Sequence, residues 1–184
     1  TMFVGMLLGF PLPLFPIQIL WVNLATDGLP AIALGLDPAD EDIMNRDPVK
    51  SSEGIFAGHM MRLILIRGVL TGLSTLGAFS AVFFTFGDID AARTTAFMTL
   101  VLIQLVYAFE CRSLHKTIFE IDIRDNLWLV ASCAISLLMM LAVVYIPALS
   151  VIFRTVPLEI RHWVIIAGIT ALGPILGSFL ISKK

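Results

Sequence analysis

A chain whose apolar runs recur at bilayer-crossing length has few folds open to it, and this one carries six, the first of them short. They cover residues 1–8, 17–36, 60–86, 94–109, 127–146 and 162–181, most of them near the ~20 residues that a helix needs to cross a hydrocarbon core. Inside that core the backbone polar groups must be satisfied internally, which leaves helices or a closed barrel. Continuous apolar runs of this length predict helices, so the expected fold is an all-α, polytopic membrane bundle. Composition agrees: 58% of the 184 residues are hydrophobic and 14% charged, and the mean hydropathy of +0.95 is too apolar for a water-soluble domain of this size.

Polar stretches separate the runs. Residues 37–54 hold Asp40, Glu41 and Asp42 in a row, then Arg46, Asp47 and Lys50, with two prolines, and are expected to form a loop outside the bilayer. Residues 87–93 and 147–160 read as connections, and 111–126 as a second sizeable polar loop. Cytoplasmic loops retain an excess of Lys and Arg. Placing 37–54, 111–126 and the C-terminus on one side gathers about nine basic residues there, counting Arg62 and Arg67 at the entry of the third run, against about three (Arg93, Arg154, Arg161) on the other. The loops 37–54 and 111–126 and the C-terminus are therefore expected to be cytoplasmic.

The first ten residues lack the basic flank and small-residue cleavage site of a signal peptide and begin within an apolar run, so the chain reads as a fragment. Cys111 and Cys133 have neither disulfide nor metal-ligand spacing. His59, His115 and His162 are scattered at span ends or in a loop, while Trp21, Trp128 and Trp163 near span starts read as interfacial anchors. Basic residues form no patch, so no nucleic-acid role is indicated. No nucleotide-binding glycine loop, hydrolase dyad or zinc spacing occurs.

One run breaks the apolar rule. Asn23, Thr26 and Asp27 interrupt it, and Gly28 and Pro30 follow at once. A charged residue near the bilayer midplane costs roughly 2.5–3.5 kcal/mol on insertion scales, so an Asp kept there needs a partner or a task. Pro30 removes a backbone donor and crowds the carbonyl four residues earlier, so the helix should loosen here and free carbonyl oxygens. Helical positions i, i+3 and i+4 share a face, which would converge the three side-chain oxygens. Such hard donors suit Ca²⁺, which takes 6–8 oxygens at about 2.3–2.6 Å. The alternative is that Asn23 and Thr26 bond to neighbouring helices as structural glue, with Asp27 protonated or paired to a distant Arg. Gln104, midway along the fourth run, could add an amide oxygen to the same cavity or donate across a helix interface.

The run PIQILWVNLATDGLPAIALGLDPADEDIMNRDP, residues 16–48, closely resembles the sixth membrane helix and following cytoplasmic loop of P-type calcium-transporting ATPases. The sarco/endoplasmic reticulum type and its bacterial relatives are the most similar, and the resemblance extends to CRSLHKTIFEI, residues 111–121. It implies that the chain corresponds to the end of the fifth helix through the tenth, in a bacterial cell membrane. It also implies that Asn23, Thr26 and Asp27 are cation ligands, and that Asp40 and Asp42 lie in the loop coupling the membrane part to the phosphorylation domain. ATP and Mg²⁺ would act in nucleotide, phosphorylation and actuator domains outside this chain, which would join them and the earlier helices as partners within the lipid bilayer.

Sodium/potassium pumps resemble this helix but carry Asp where this chain has Asn23, which favours calcium. Gln104 stands where the two-calcium reticulum type has Glu, and so resembles the plasma-membrane calcium pumps that move one calcium per ATP. Asp27 would be expected to exchange Ca²⁺ for protons, since an empty carboxylate in the membrane is costly unless protonated. The competing readings are another P-type cation pump (Na⁺/K⁺ or H⁺), a secondary transporter or channel with a broken helix, and a mere membrane anchor.

Overall fold

The computed structural model describes residues 1–37, 59–112 and 126–181, whose regular elements are all helices, with no strand among them. The expected loop carboxylates Asp40 and Asp42 lie outside the described residues. A short helix α1 (Met2–Leu7) precedes a turn, and the second run is one helical rod in three pieces: α2 (Pro16–Trp21), a π-helical turn (Val22–Thr26) and α3 (Gly28–Leu34). Then come α4 (His59–Phe86), α5 (Ile89–Glu110), α6 (Leu127–Tyr145), α7 (Pro147–Phe153) and α8 (Ile160–Ile181). The stretches Pro16–Leu34, Met60–Phe86, Ile89–Glu110 and Leu127–Tyr145 are long and apolar enough to cross a membrane. The 22-residue α8 has the length to do so as well, at about 1.5 Å per residue.

α5 is the centre of the bundle. It packs against α4, α6 and α8, while α6 also covers α3 and the π turn. Most of its spanning window, 61%, is buried, against 28% for α4, whose outer face presents Leu65, Val69, Leu73 and Phe84. Lipid tails are as apolar as leucine, so helices associate through close packing instead of a hydrophobic drive. α5 supplies the small residues for it: Ala91, Ala92 and Ala96 are buried alongside Phe97, Met98 and Val101, and Phe79, Val82, Leu129, Met140, Val143 and Ile166 close around them. Several hydroxyls within the bundle bond back to their own helices. Thr71, Thr75, Ser80, Thr94 and Thr99 each donate to the carbonyl four residues earlier, which satisfies the hydroxyl without a partner helix.

The segment 87–93, read from sequence as a connection, is mostly helix. Gly87 takes a left-handed φ of 69° and donates its N–H to Phe83 O at 3.0 Å. Asp88 then caps α5, its Oδ1 accepting the N–H groups of Asp90 (2.9 Å) and Ala91 (3.0 Å). A two-residue link therefore joins α4 to α5, and α5 begins at Ile89. Losing this cap in Asp88→Ala should lower stability by about 1 kcal/mol, measured as the thermal midpoint of the detergent-solubilised protein, with Asp88→Asn closer to wild type.

The stretch 147–160 likewise contains a helix. Pro147 sits at its first position, where the missing N–H would have no partner in any case. Arg154 ends it in the left-handed region at φ 52°. Gln18, fully buried, ties this short helix to the rod: its Nε2 donates to Phe153 O at 3.1 Å, while its Oε1 accepts Phe15 N–H at 3.0 Å. Trp21 packs edge-on against Phe153, and Trp163 Nε1 donates to Tyr145 OH at 2.8 Å.

Candidate functional site

Pro30 has no N–H, so the carbonyl of Thr26 lacks the donor that an α-helix would bring to it. The loosening expected there appears one turn earlier as a widened π turn. Asp27 N–H reaches back five residues to Val22 O at 2.9 Å, and Thr26 Oγ1 donates to the same oxygen at 2.6 Å. π turns of this kind recur at functional sites because they shift the side chains beyond them relative to a regular helix. The regular α-helix resumes at Gly28. On the α6 side, Ser136 Oγ donates to Ala25 O at 3.3 Å and so braces a carbonyl of the widened turn.

Asp27, the last residue before α3, is half-buried, and its Oδ2 accepts from Gln104 Nε2 at 3.4 Å, a long contact across 77 positions of sequence. The other amide atom, Gln104 Oε1, is buried with no hydrogen-bond partner among the described residues. Among the described residues no basic side chain pairs with Asp27. Thr26 is buried, and its hydroxyl proton is committed to Val22 O, which leaves lone pairs on Oγ1 free to accept. Asn23 is exposed on the rod, close to Leu20 and Leu24, which are 64% and 72% exposed.

The fold thus brings Asp27 and Gln104 into contact, holds Thr26 beside them on the same turn, and leaves Asn23 on a face that no described residue of this chain covers. Every donor here is an oxygen. No His or Cys stands among them, so the donors gathered here are of the hard kind; no group of three or more His, Cys, Asp or Glu occurs among the described residues. The Gln104 amide faces the carboxylate through its NH₂ group.

A second polar cluster, invisible in the sequence pattern, closes the opposite end of α3. Asp37 accepts from Arg112 Nε at 3.1 and 3.2 Å through both oxygens and from Asn126 Nδ2 at 2.9 Å. Asn126 also donates to Ala33 O at 3.2 Å and caps α6 by accepting Leu129 N–H at 2.9 Å. Nearby, Arg67 on α4 pairs with Glu110 on α5 at 2.8 Å and lies over the Tyr107 ring. No spacing rule points to these residues, because each partner sits on a different element.

Comparison with known proteins agrees with this architecture. The family described as "Cation transporting ATPase, C-terminus" matches residues 11–181. The "Calcium-transporting ATPase" of Bacillus subtilis is 44% identical over the whole chain, which covers 21% of that protein. "Calcium-transporting ATPase 1" of Bacillus cereus is 43% identical over 89% of the chain and 20% of its own length. The "Calcium-transporting ATPase 3, endoplasmic reticulum-type" of Arabidopsis thaliana is 32% identical over 88% of the chain and 19% of its own length. The chain therefore spans about a fifth of the relatives it matches.

Proposed function

Because this chain belongs to the family of C-terminal membrane regions of cation-transporting ATPases, we propose that it is the transport segment of an ATP-driven P-type Ca²⁺ pump and supplies part of its membrane cation site. The observation that carries this reading is a carboxylate that, among the described residues, has no basic partner, on a π turn within a spanning rod, against an amide whose oxygen has no partner among them either. Asp27 contributes the charge, and Gln104 and Thr26 contribute neutral oxygens. Asn23 faces outward toward a helix from elsewhere in the pump, which completes the 6–8 oxygens that calcium requires. ATP and Mg²⁺ act in domains outside this chain.

Transport then works by changing what surrounds Asp27. Phosphorylation elsewhere shifts the helices, opening the site to the cytosol in one state and to the far side in the other, and Asp27 takes up a proton when calcium leaves it. The loops 37–54 and 111–126 and the C-terminus lie in the cytoplasm of a bacterial cell, and Asp40 and Asp42 couple the rod to the phosphorylated domain. One neutral amide at Gln104, in place of a second carboxylate, fits one calcium per cycle.

The test is the ion dependence of the full-length protein. ATP hydrolysis should be stimulated by micromolar Ca²⁺ and not by Na⁺, K⁺ or a pH step, and Ca²⁺ binding should release protons into a weakly buffered medium. Stimulation by another cation would reassign the pump, and ion flux without nucleotide would make it a secondary transporter or channel. Calcium binding without proton release would remove the exchange role given to Asp27.

A further inference from the structure

At the end of the bundle away from Asp37 and Arg112, a cavity of about 400 Å³ opens where α2 and α5 begin and α7 ends. Phe15, Asp90, Arg93, Ser150, Arg154 and Thr155 line it. Two guanidinium groups are gathered on one ring: the Cζ atoms of Arg93 and Arg154 lie 4.6 and 5.1 Å from the Phe15 centroid. Arg93 is anchored, since its Nε donates to Leu12 O at 2.9 Å and its Nη1 to Asp90 Oδ1 at 3.2 Å. Arg154 is not. Among the described residues its guanidinium makes no hydrogen bond or ion pair, and all five of its N–H donors are open.

The cavity is therefore lined by two cations and one carboxylate, which leaves its charge incompletely compensated. Arg154 also adopts a left-handed backbone conformation that glycine would take at lower cost, so helix termination alone gives no reason for an arginine there. One monoanion with several acceptor oxygens would balance the charge and engage both guanidinium groups. The surroundings identify its source. Val151, which also lines the cavity, and Ile152 are 78% and 56% exposed. The spanning helices α2 and α5 start at this level, at Pro16 and Ile89. Apolar side chains toward lipid beside free guanidinium groups at the end of a span match a phosphate joined to acyl chains.

We propose that this cavity binds the phosphate of an anionic phospholipid at the membrane boundary, with Arg154 as the principal ligand and Arg93 as the second. The site is independent of which ion the pump carries. The full-length protein should be reconstituted in nanodiscs of phosphatidylcholine with and without phosphatidylglycerol, and the lipid retained after extraction measured by native mass spectrometry. Phosphatidylglycerol should be retained in preference to phosphatidylcholine, and Arg154→Gln should weaken that preference roughly fivefold, the loss expected for one basic group at a charged surface. Arg154→Gly should weaken it equally while relaxing the turn, so a folding defect cannot account for both. Equal retention of the two lipids by wild type, or unchanged preference in both variants, overturns the site. Thermal protection by inorganic phosphate in pure phosphatidylcholine discs, equal to that from phosphatidylglycerol, overturns the lipid as its source.

Discussion

Asp27→Asn in the full-length protein is expected to abolish calcium uptake and calcium-stimulated ATP hydrolysis at calcium concentrations that saturate the wild type. The substitution keeps the size of the side chain and an oxygen facing Gln104, so the π turn and its bracing by Ser136 should survive. What disappears is the charge. Taking one partner from a buried charge pair costs about 3–5 kcal/mol, and every 1.4 kcal/mol is tenfold in affinity, so calcium affinity should fall by a factor of about a hundred or more. Uptake of radioactive calcium into inverted vesicles checks this, with size-exclusion chromatography of the variant as the control for folding. Uptake and ATPase activity equal to wild type would make Asp27 structural glue and this segment an anchor.

Asp37→Ala should give the second large effect, this time on stability. Arg112, with a side chain only 8% exposed, would lose a carboxylate that it contacts through both oxygens, and Asn126 would lose one of its two acceptors. Asp37 is itself partly exposed and Arg112 has further interactions, so the loss should fall below the range for a fully buried pair, at about 2 kcal/mol. The thermal midpoint of the solubilised protein should drop. In a double-mutant cycle with Arg112→Ala, the two changes together should cost less than their sum, because each removes the same contact. Simple additivity would mean that the pair contributes nothing beyond its separate parts.

These two sites differ in how far the chain announced them. Asp27 was legible because a carboxylate within an apolar run is a costly exception, and Gly28 and Pro30 marked the loosened helix beside it. The partner of Asp37 was not legible, since Arg112 and Asn126 stand 75 and 89 positions away on other elements. Gln104 lies between the two cases. Its polarity within a spanning run singled it out, but whether its amide meets Asp27 or another helix depends on how α5 sits against the rod.

Two helical stretches escaped the sequence for local reasons. The beginning of α5 carries Asp88, Asp90 and Arg93, which read as a polar link until the cap at Asp88 shows that the helix starts among them. The seven residues of α7 are too few for a periodic pattern, and Pro147 at its start reads equally well as a loop residue.

Residue order alone determined the membrane class and the helical fold and drew attention to Asp27, because lipid leaves a backbone so few solutions that long apolar runs and their exceptions speak directly. Only the tertiary structure decided that the rod widens into a π turn instead of unwinding, that Gln104 meets Asp27, and that Arg154 stands open beside Arg93. The last two are contacts between distant segments, set by how whole helices pack against one another, and helix packing in lipid depends on shapes that no local pattern encodes.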